Sequence, residues 1–246
     1  MLIIKPFIFN QFPEIIFGFS TRFGPNVKLP YYFNLSFSVG DEKGIVDSNR
    51  NLFFNELGLN EEMVSYQKQV HEDKINSVSS SGSCGESDAL ITTTKNLGLA
   101  ISSADCPAIF IYDTVQKVIA AVHSGWRGTE KKILLKTIKK LKTDFNSDAL
   151  NLICYIGPSI SQKNYEVQED VALKFDSEFV VKNENKFYLN LSGANYKMLI
   201  DEGVKKVNIQ LSGLCTYGYE NLLHSYRREG VKSGRALGLI AMKENA

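Results

Sequence analysis

Three residues in this chain have the types and spacing to do chemistry together. Cys106 stands in Ala104-Asp105-Cys106-Pro107, and His123 follows in Val122-His123-Ser124-Gly125-Trp126-Arg127-Gly128. Between them, Ala108 to Tyr112 and Lys117 to Val122 have strand length and strand composition, separated by an Asp-Thr turn at 113–114. An antiparallel hairpin about that turn brings a thiol and an imidazole together at its open end. His71, one of only three histidines in the chain, closes a second alternating run, Tyr66 to His71.

Two chemistries use this set. In one, His123 is the base that activates a Cys106 nucleophile, with Asp105 or another group orienting it. In the other, His71, Cys106 and His123 are metal ligands. Two histidines and one thiolate leave the fourth tetrahedral position open, the pattern of a catalytic zinc; Cys84 or Cys215 would close it into a structural one. Cys154 and Cys215 otherwise read as small buried hydrophobes, and His224 as a satisfied histidine at a helix end. The glycine turn 125–128 precedes a helix start, so its N–H groups and Arg127 suit an anion of the phosphate type. Arg22, Arg228 and Arg235 also sit in turns beside glycine or serine and can converge on the same anion.

The elements that must position these groups alternate irregularly. Short strands and turns fill residues 1–40. A short amphipathic helix follows at 47–58, with Asp47 as its N-cap and Gly58 ending it. The polar, glycine-bearing stretch 77–87 reads as a flexible surface loop, and strands are expected at 89–93 and 97–102. Thr129 is a plausible cap for a helix with apolar positions 134, 138, 141 and 145, whose lysines form a solvated face. Strands at 150–156, 187–191, 206–211 and 236–242 and helices at 168–176 and 194–202 complete the chain. The fold class is α+β, a single domain over residues 1–246.

Composition excludes several classes. A net charge of +1 predicts neither nucleic-acid steering nor a polybasic membrane patch. An apolar fraction of 43% with 22% charged residues supports an ordinary core and a solvated surface. The opening Met1–Pro6 lacks the basic and long apolar regions of a signal peptide. With no Cys-x-x-Cys pair, the four cysteines read as reduced thiols in a cytoplasmic protein.

The motifs also resemble a known family. Val70-His71, Ala104 to Pro107 and Val122 to Gly128, with Thr21-Arg22-Phe23-Gly24, Phe33-Asn34-Leu35-Ser36, Asp88-Ala89-Leu90, Gly157-Pro158-Ser159-Ile160 and Ser225-Tyr226-Arg227-Arg228, are similar to the YfiH-like, laccase-domain (multicopper polyphenol oxidase) family. The resemblance runs from about residue 17 to the C-terminus. It departs at Ser124, Phe23 and His224, none of which is an expected ligand. It implies a mixed α/β domain with a central mixed sheet flanked by helices, and zinc, or copper at the same site, on His71, Cys106 and His123. It further implies phosphorolysis of purine nucleosides (adenosine, inosine, guanosine, methylthioadenosine) with adenosine deaminase activity, and a link of bacterial members to peptidoglycan editing.

On that reading the catalytic residues are Cys106, His123 and Asp105, the last as proton shuttle for deamination. Substrate and phosphate fall to Arg127, Arg22, Asn34 and Arg228. The partners are small molecules, with no nucleic acid or membrane, and the chain is a monomer or weak oligomer. A true laccase needs several coppers and roughly ten histidine ligands. Three histidines cannot build that.

Overall fold

The computed structural model describes residues 1–244. In chain order its strands and helices are β1 (Ile3–Ile4), β2 (Ile15–Ser20), α1 (Lys43–Glu56), β3 (Val64–Lys68), β4 (Ile75–Ser77), β5 (Gly82–Glu86), β6 (Ala89–Thr92), β7 (Gly98–Ser103), β8 (Ala108–Asp113) and β9 (Val118–His123). They continue with α2 (Trp126–Glu130), α3 (Ile133–Phe145), β10 (Leu152–Ile156), β11 (Glu166–Val167), α4 (Glu169–Ala172), β12 (Val180–Asn183), β13 (Lys186–Leu189), α5 (Leu191–Asp201), β14 (Ile209–Leu211), α6 (Tyr226–Glu229) and β15 (Ala236–Met242).

Strands β8, β9, β10 and β15 carry unbroken apolar runs because both their faces are covered. The mixed α/β architecture expected from the sequence forms, with its strands divided between two six-stranded sheets. One runs β1-β2-β15-β7-β3-β5, the other β14-β10-β8-β9-β6-β4. Phe17, Phe19, Leu99, Ile101 and Ile240 of the first meet Leu90, Phe110, Tyr112, Ile119 and Tyr155 of the second in one core layer. Outside the second sheet, Ile109, Ile111, Ala120 and Val122 pack against Leu134, Ile138 and Leu141 of α3 and Leu199 of α5. Outside the first, Leu237 and Leu239 pack against Phe53 and Phe54 of α1. The order is therefore helix, sheet, sheet, helix, with a small third sheet, β11-β13-β12, to one side.

The hairpin is as expected. Strands β8 and β9 pair antiparallel with Ala108 opposite His123. Asp113 turns the chain by accepting from the amides of Val115 and Gln116 at 2.8 and 2.9 Å. The last strand, β15, has the bounds its apolar run predicts.

Elsewhere local signals misled. The stretch 77–87 contains β5, which pairs parallel with β3 as an edge strand; glycine and serine hide it because they are poor strand formers. Helix α1 starts at Lys43, a turn before Asp47. Thr129 lies inside α2, its hydroxyl on the carbonyls of Ser124 and Gly125 at 3.1 and 3.0 Å. The long helix starts later, after Lys132 breaks the path at φ 60°. Among the described residues no helix is long and apolar enough to cross a membrane.

Candidate metal centre and cleft

Chain crossings between the two sheets build the site. Ser103 ends β7 in the first sheet and Ala108 begins β8 in the second, so 104–107 bridges them. Asp105 makes this link at φ 93°, a conformation that favours glycine and costs about 1–3 kcal/mol. Its carboxylate holds it there, accepting from Thr216 Oγ1 and the Arg227 amide, each at 2.6 Å. Cys106 is thereby fixed facing His123 at the open end of the hairpin. His71 lies just past β3, not on it, at φ 60°.

The ligand atoms of His71, Cys106 and His123 all lie within 4.8 Å of one another. The two imidazoles meet edge to face, centroids 4.8 Å apart. Burial by itself would raise the Cys106 thiol, but His123 and His71 beside it pull it down to about 6. Burial would lower His123, but the Cys106 charge and the Asp88 hydrogen bond raise it to about 9. Room for an ion is kept by Gly125, where a Cβ would stand 3.0 Å from Cys106 Sγ and 3.2 Å from the His71 ring. Two imidazoles and a thiolate around a space that one methyl would fill fit a borderline-soft divalent metal.

Sequence reasoning missed Asp88 as a functional residue. It is fully buried, and its Oδ1 accepts from His123 Nδ1 at 2.8 Å. That bond leaves Nε2 as the ligating nitrogen. The same carboxylate accepts from the amides of Val70, His71 and Glu72 at 3.1, 3.1 and 2.9 Å. One side chain thus positions both histidines, one through its ring and one through its backbone. Burial would raise its pKa, yet these bonds, led by that of His123, hold it below the usual carboxylate range.

The three ligands line a cleft of about 1000 Å³. Phe37, Tyr66, Trp126, Tyr165 and Tyr226 give it flat aromatic walls; Arg50, Lys68, Arg227 and Arg235 give it positive charge. Asp105 is the lining carboxylate. Burial first, then the nearby Cys106 charge, push the Tyr165 phenol above its ordinary value, so it keeps its proton.

None of the four residues expected to bind substrate lines this cleft. Arg127 is exposed and stacks on Trp126 at 4.3 Å. Arg22 is 7% exposed, pairs with Glu229 at 3.1 Å, covers the Tyr32 ring at 3.5 Å and donates to the Glu220 carbonyl. Arg228 ties the carbonyls of Thr216, Tyr217 and Leu223 together at 2.7, 2.9 and 2.6 Å. Asn34 is fully buried, and its carboxamide bonds Ser36, Asp41 and the Arg235 amide. Three of the four are thus tied into the framework by the bonds they make to the protein. Neither Cys84 nor Cys215 joins the metal group among the described residues. Cys215 instead accepts from Ser161 and Asn164. His224 is buried, with Nε2 3.3 Å from the Phe33 carbonyl.

A two-histidine, one-cysteine centre in the cleft of a paired-sheet α/β domain defines a narrow class of protein. The chain belongs to the multi-copper polyphenol oxidoreductase laccase family, whose pattern matches residues 16–243. A Clostridium acetobutylicum protein named purine nucleoside phosphorylase is 35% identical over 88% of this chain and 93% of its own. Bacillus subtilis purine nucleoside phosphorylase YlmD is 29% identical over 94% and 90%. The crystal structure of the Bacillus licheniformis hypothetical protein YfiH superposes with a TM-score of 0.91 at 27% identity, covering 96% of this chain and 94% of that one. YlmD from Geobacillus stearothermophilus superposes equally well, with a TM-score of 0.91.

Proposed function

We propose that this protein is a zinc-dependent purine nucleoside phosphorylase of the cytoplasm, acting on adenosine, inosine, guanosine or methylthioadenosine with phosphate. The observation that carries this reading is the His71–Cys106–His123 group lining a cleft whose walls are aromatic and cationic. Flat rings suit a purine by stacking, and arginines suit phosphate. The names of the relatives point the same way. In the reaction a phosphate oxygen bonds to ribose C1′, the C1′–N9 bond breaks, and its electron pair leaves with the purine, which takes up a proton. Bound zinc supplies Lewis-acid polarisation of a substrate heteroatom. The chain's own residues hold the ion and position the reactants: Asp88 orients both histidines, Asp105 fixes Cys106, and the aromatic walls offer stacking faces to the purine.

Adenosine deamination is the secondary activity on this reading. Asp105, its expected proton shuttle, accepts one hydrogen bond on each carboxylate oxygen from within the protein; the relatives' names favour phosphorolysis as the main reaction. The lowered Cys106 and raised His123 also favour a second reading, a thiolate–imidazolium pair acting in hydrolysis.

His71→Ala separates the two. On the zinc reading it loses both metal and activity, a drop of about 10² or more. On the hydrolase reading activity survives, and thiol alkylation abolishes it without metal loss. Phosphorolysis of inosine must yield hypoxanthine with ribose 1-phosphate and must stop when phosphate is withheld. Free ribose at an undiminished rate without phosphate overturns the proposal.

A further inference from the structure

A half-buried guanidinium that lines a cleft without an ion pair keeps donors free for a ligand. Among the described residues, the arginine ion pairs are those of Arg22 and Arg228 with Glu229 and of Arg50 with Glu61. Arg235 is in none of these ion pairs. It nevertheless lines the cleft, and burial pushes its pKa down while Asp105, Tyr226, Cys106 and Glu229 act in the opposite direction.

Its geometry is fixed from one side. Nη1 donates to the carbonyls of Ser233 and Gly234 at 2.7 and 3.1 Å. Its amide donates to Asn34 Oδ1 at 3.0 Å, and its carbonyl accepts from the Leu35 amide at 3.1 Å. The guanidinium carbon lies 5.3 Å from the Tyr226 ring centroid. No protein acceptor meets Nε or Nη2 among the described residues. The next residue, Ala236, pairs with Ser103, three positions before Cys106, so Arg235 and the metal group line the same cleft.

The other lining cations are engaged. Arg50 pairs with Glu61 and is stacked at 4.5 Å on Tyr66. Lys68 pairs with Glu86 at 2.9 Å. Arg227 is exposed and gives Nη1 to the Glu166 carbonyl at 2.8 Å. Asp105 forms no ion pair with Arg235 and acts on it only as a nearby charge, its oxygens accepting from Thr216 and the Arg227 amide.

We propose that Arg235 is the oxyanion-binding residue of this site, presenting the free edge of its guanidinium to a phosphate beside His71, Cys106 and His123. Asn34 acts through it as a positioning residue. The proposal rests on the phosphorylase reading for the identity of the anion.

The test uses metal-loaded, full-length protein and inorganic phosphate. Arg235→Gln raises the phosphate KM, and weakens calorimetric phosphate binding without nucleoside, by about 10- to 100-fold. Metal content and nucleoside KM stay near wild type. Arg235→Lys keeps the charge but not the fork, and falls between the two. Should the glutamine variant fail to fold, the lysine variant with an unchanged phosphate KM overturns the proposal, and one with a raised KM supports it. Phosphate binding unaltered in a folded Arg235→Gln overturns it as well. A wild type that binds phosphate through Arg235 but never turns over nucleoside with it would sink the phosphorylase reading and leave the anion site standing.

Discussion

Replacing Asp88 with asparagine tests whether one buried carboxylate sets both histidines. Its Oδ1 faces the His71 amide and His123 Nδ1, and its Oδ2 faces the amides of Val70 and Glu72. An asparagine must put its NH₂ at one of these positions, so it either meets the Val70 and Glu72 amides, two donor–donor contacts, or meets the His71 amide and displaces the His123 Nδ1 proton. Toward His123, the amide forces Nδ1 to accept, the ring proton moves to Nε2, and the ligating nitrogen is lost. Toward Val70 and Glu72, the turn that carries His71 loosens.

Bonds to a charged group contribute about 1.5–3 kcal/mol each, so the loss of two amounts to roughly 3–6 kcal/mol. For a chain of this length, at about 2–4 °C per kcal/mol, that lowers Tm by about 6–24 °C. Metal affinity falls by about 10- to 100-fold. Chelator competition at a temperature where circular dichroism shows the variant folded measures the affinity, and calorimetry measures Tm. A folded Asp88→Asn that binds metal within about threefold of wild type refutes the reasoning, since supporting bonds of this kind are worth far more.

Further outcomes are expected elsewhere. Gly125→Ala sets a methyl against Cys106 and His71 at a backbone φ of −64° that alanine accepts; metal affinity falls by about tenfold or more while Tm holds or rises slightly. Arg22→Ala leaves the Glu229 carboxylate short of a partner, so urea unfolding shows a loss of about 2–4 kcal/mol while phosphate KM is unchanged. Burial would raise the Glu14 carboxyl, but the 2.5 Å bond from Tyr112 and the Lys117 ammonium bring it to about 2 from 4.5. Its stabilisation, at most about 3 kcal/mol, is complete above pH 4.5 and lost as pH falls toward 2. Glu14→Gln therefore flattens the acid limb of a stability–pH curve.

The metal group was legible because its signals are local. Continuous apolar runs delimit β8 and β9, and a hairpin's register follows from its turn, which puts Cys106 and His123 together without tertiary information. Arg235 stood among the candidates for the anion but could not be singled out. Arg22, Arg127 and Arg235 share one local signature, an arginine beside glycine or serine in a turn. Only tertiary packing makes one a framework strut, one a surface residue and one a cleft wall. Asp88 offered a faint sign, an acidic residue directly before the apolar run Ala89–Ile91, where a carboxylate must find buried donors. Strand β5 had no sign at all, since its glycines and serines mimic a loop and its pairing partner is a parallel strand.

The crossing at 104–107 also orders events in time. Cys106 reaches its place only when β7 has found β15 and β8 has found β9, and β15 must itself pair with β2 near the other end of the chain. Contacts so distant in sequence close late during folding. Competence to take up metal should therefore lag behind the return of secondary structure after dilution from denaturant. An ion-sensitive dye would then time the final locking of the two sheets, and the protein would be spared from capturing metal while still half-assembled.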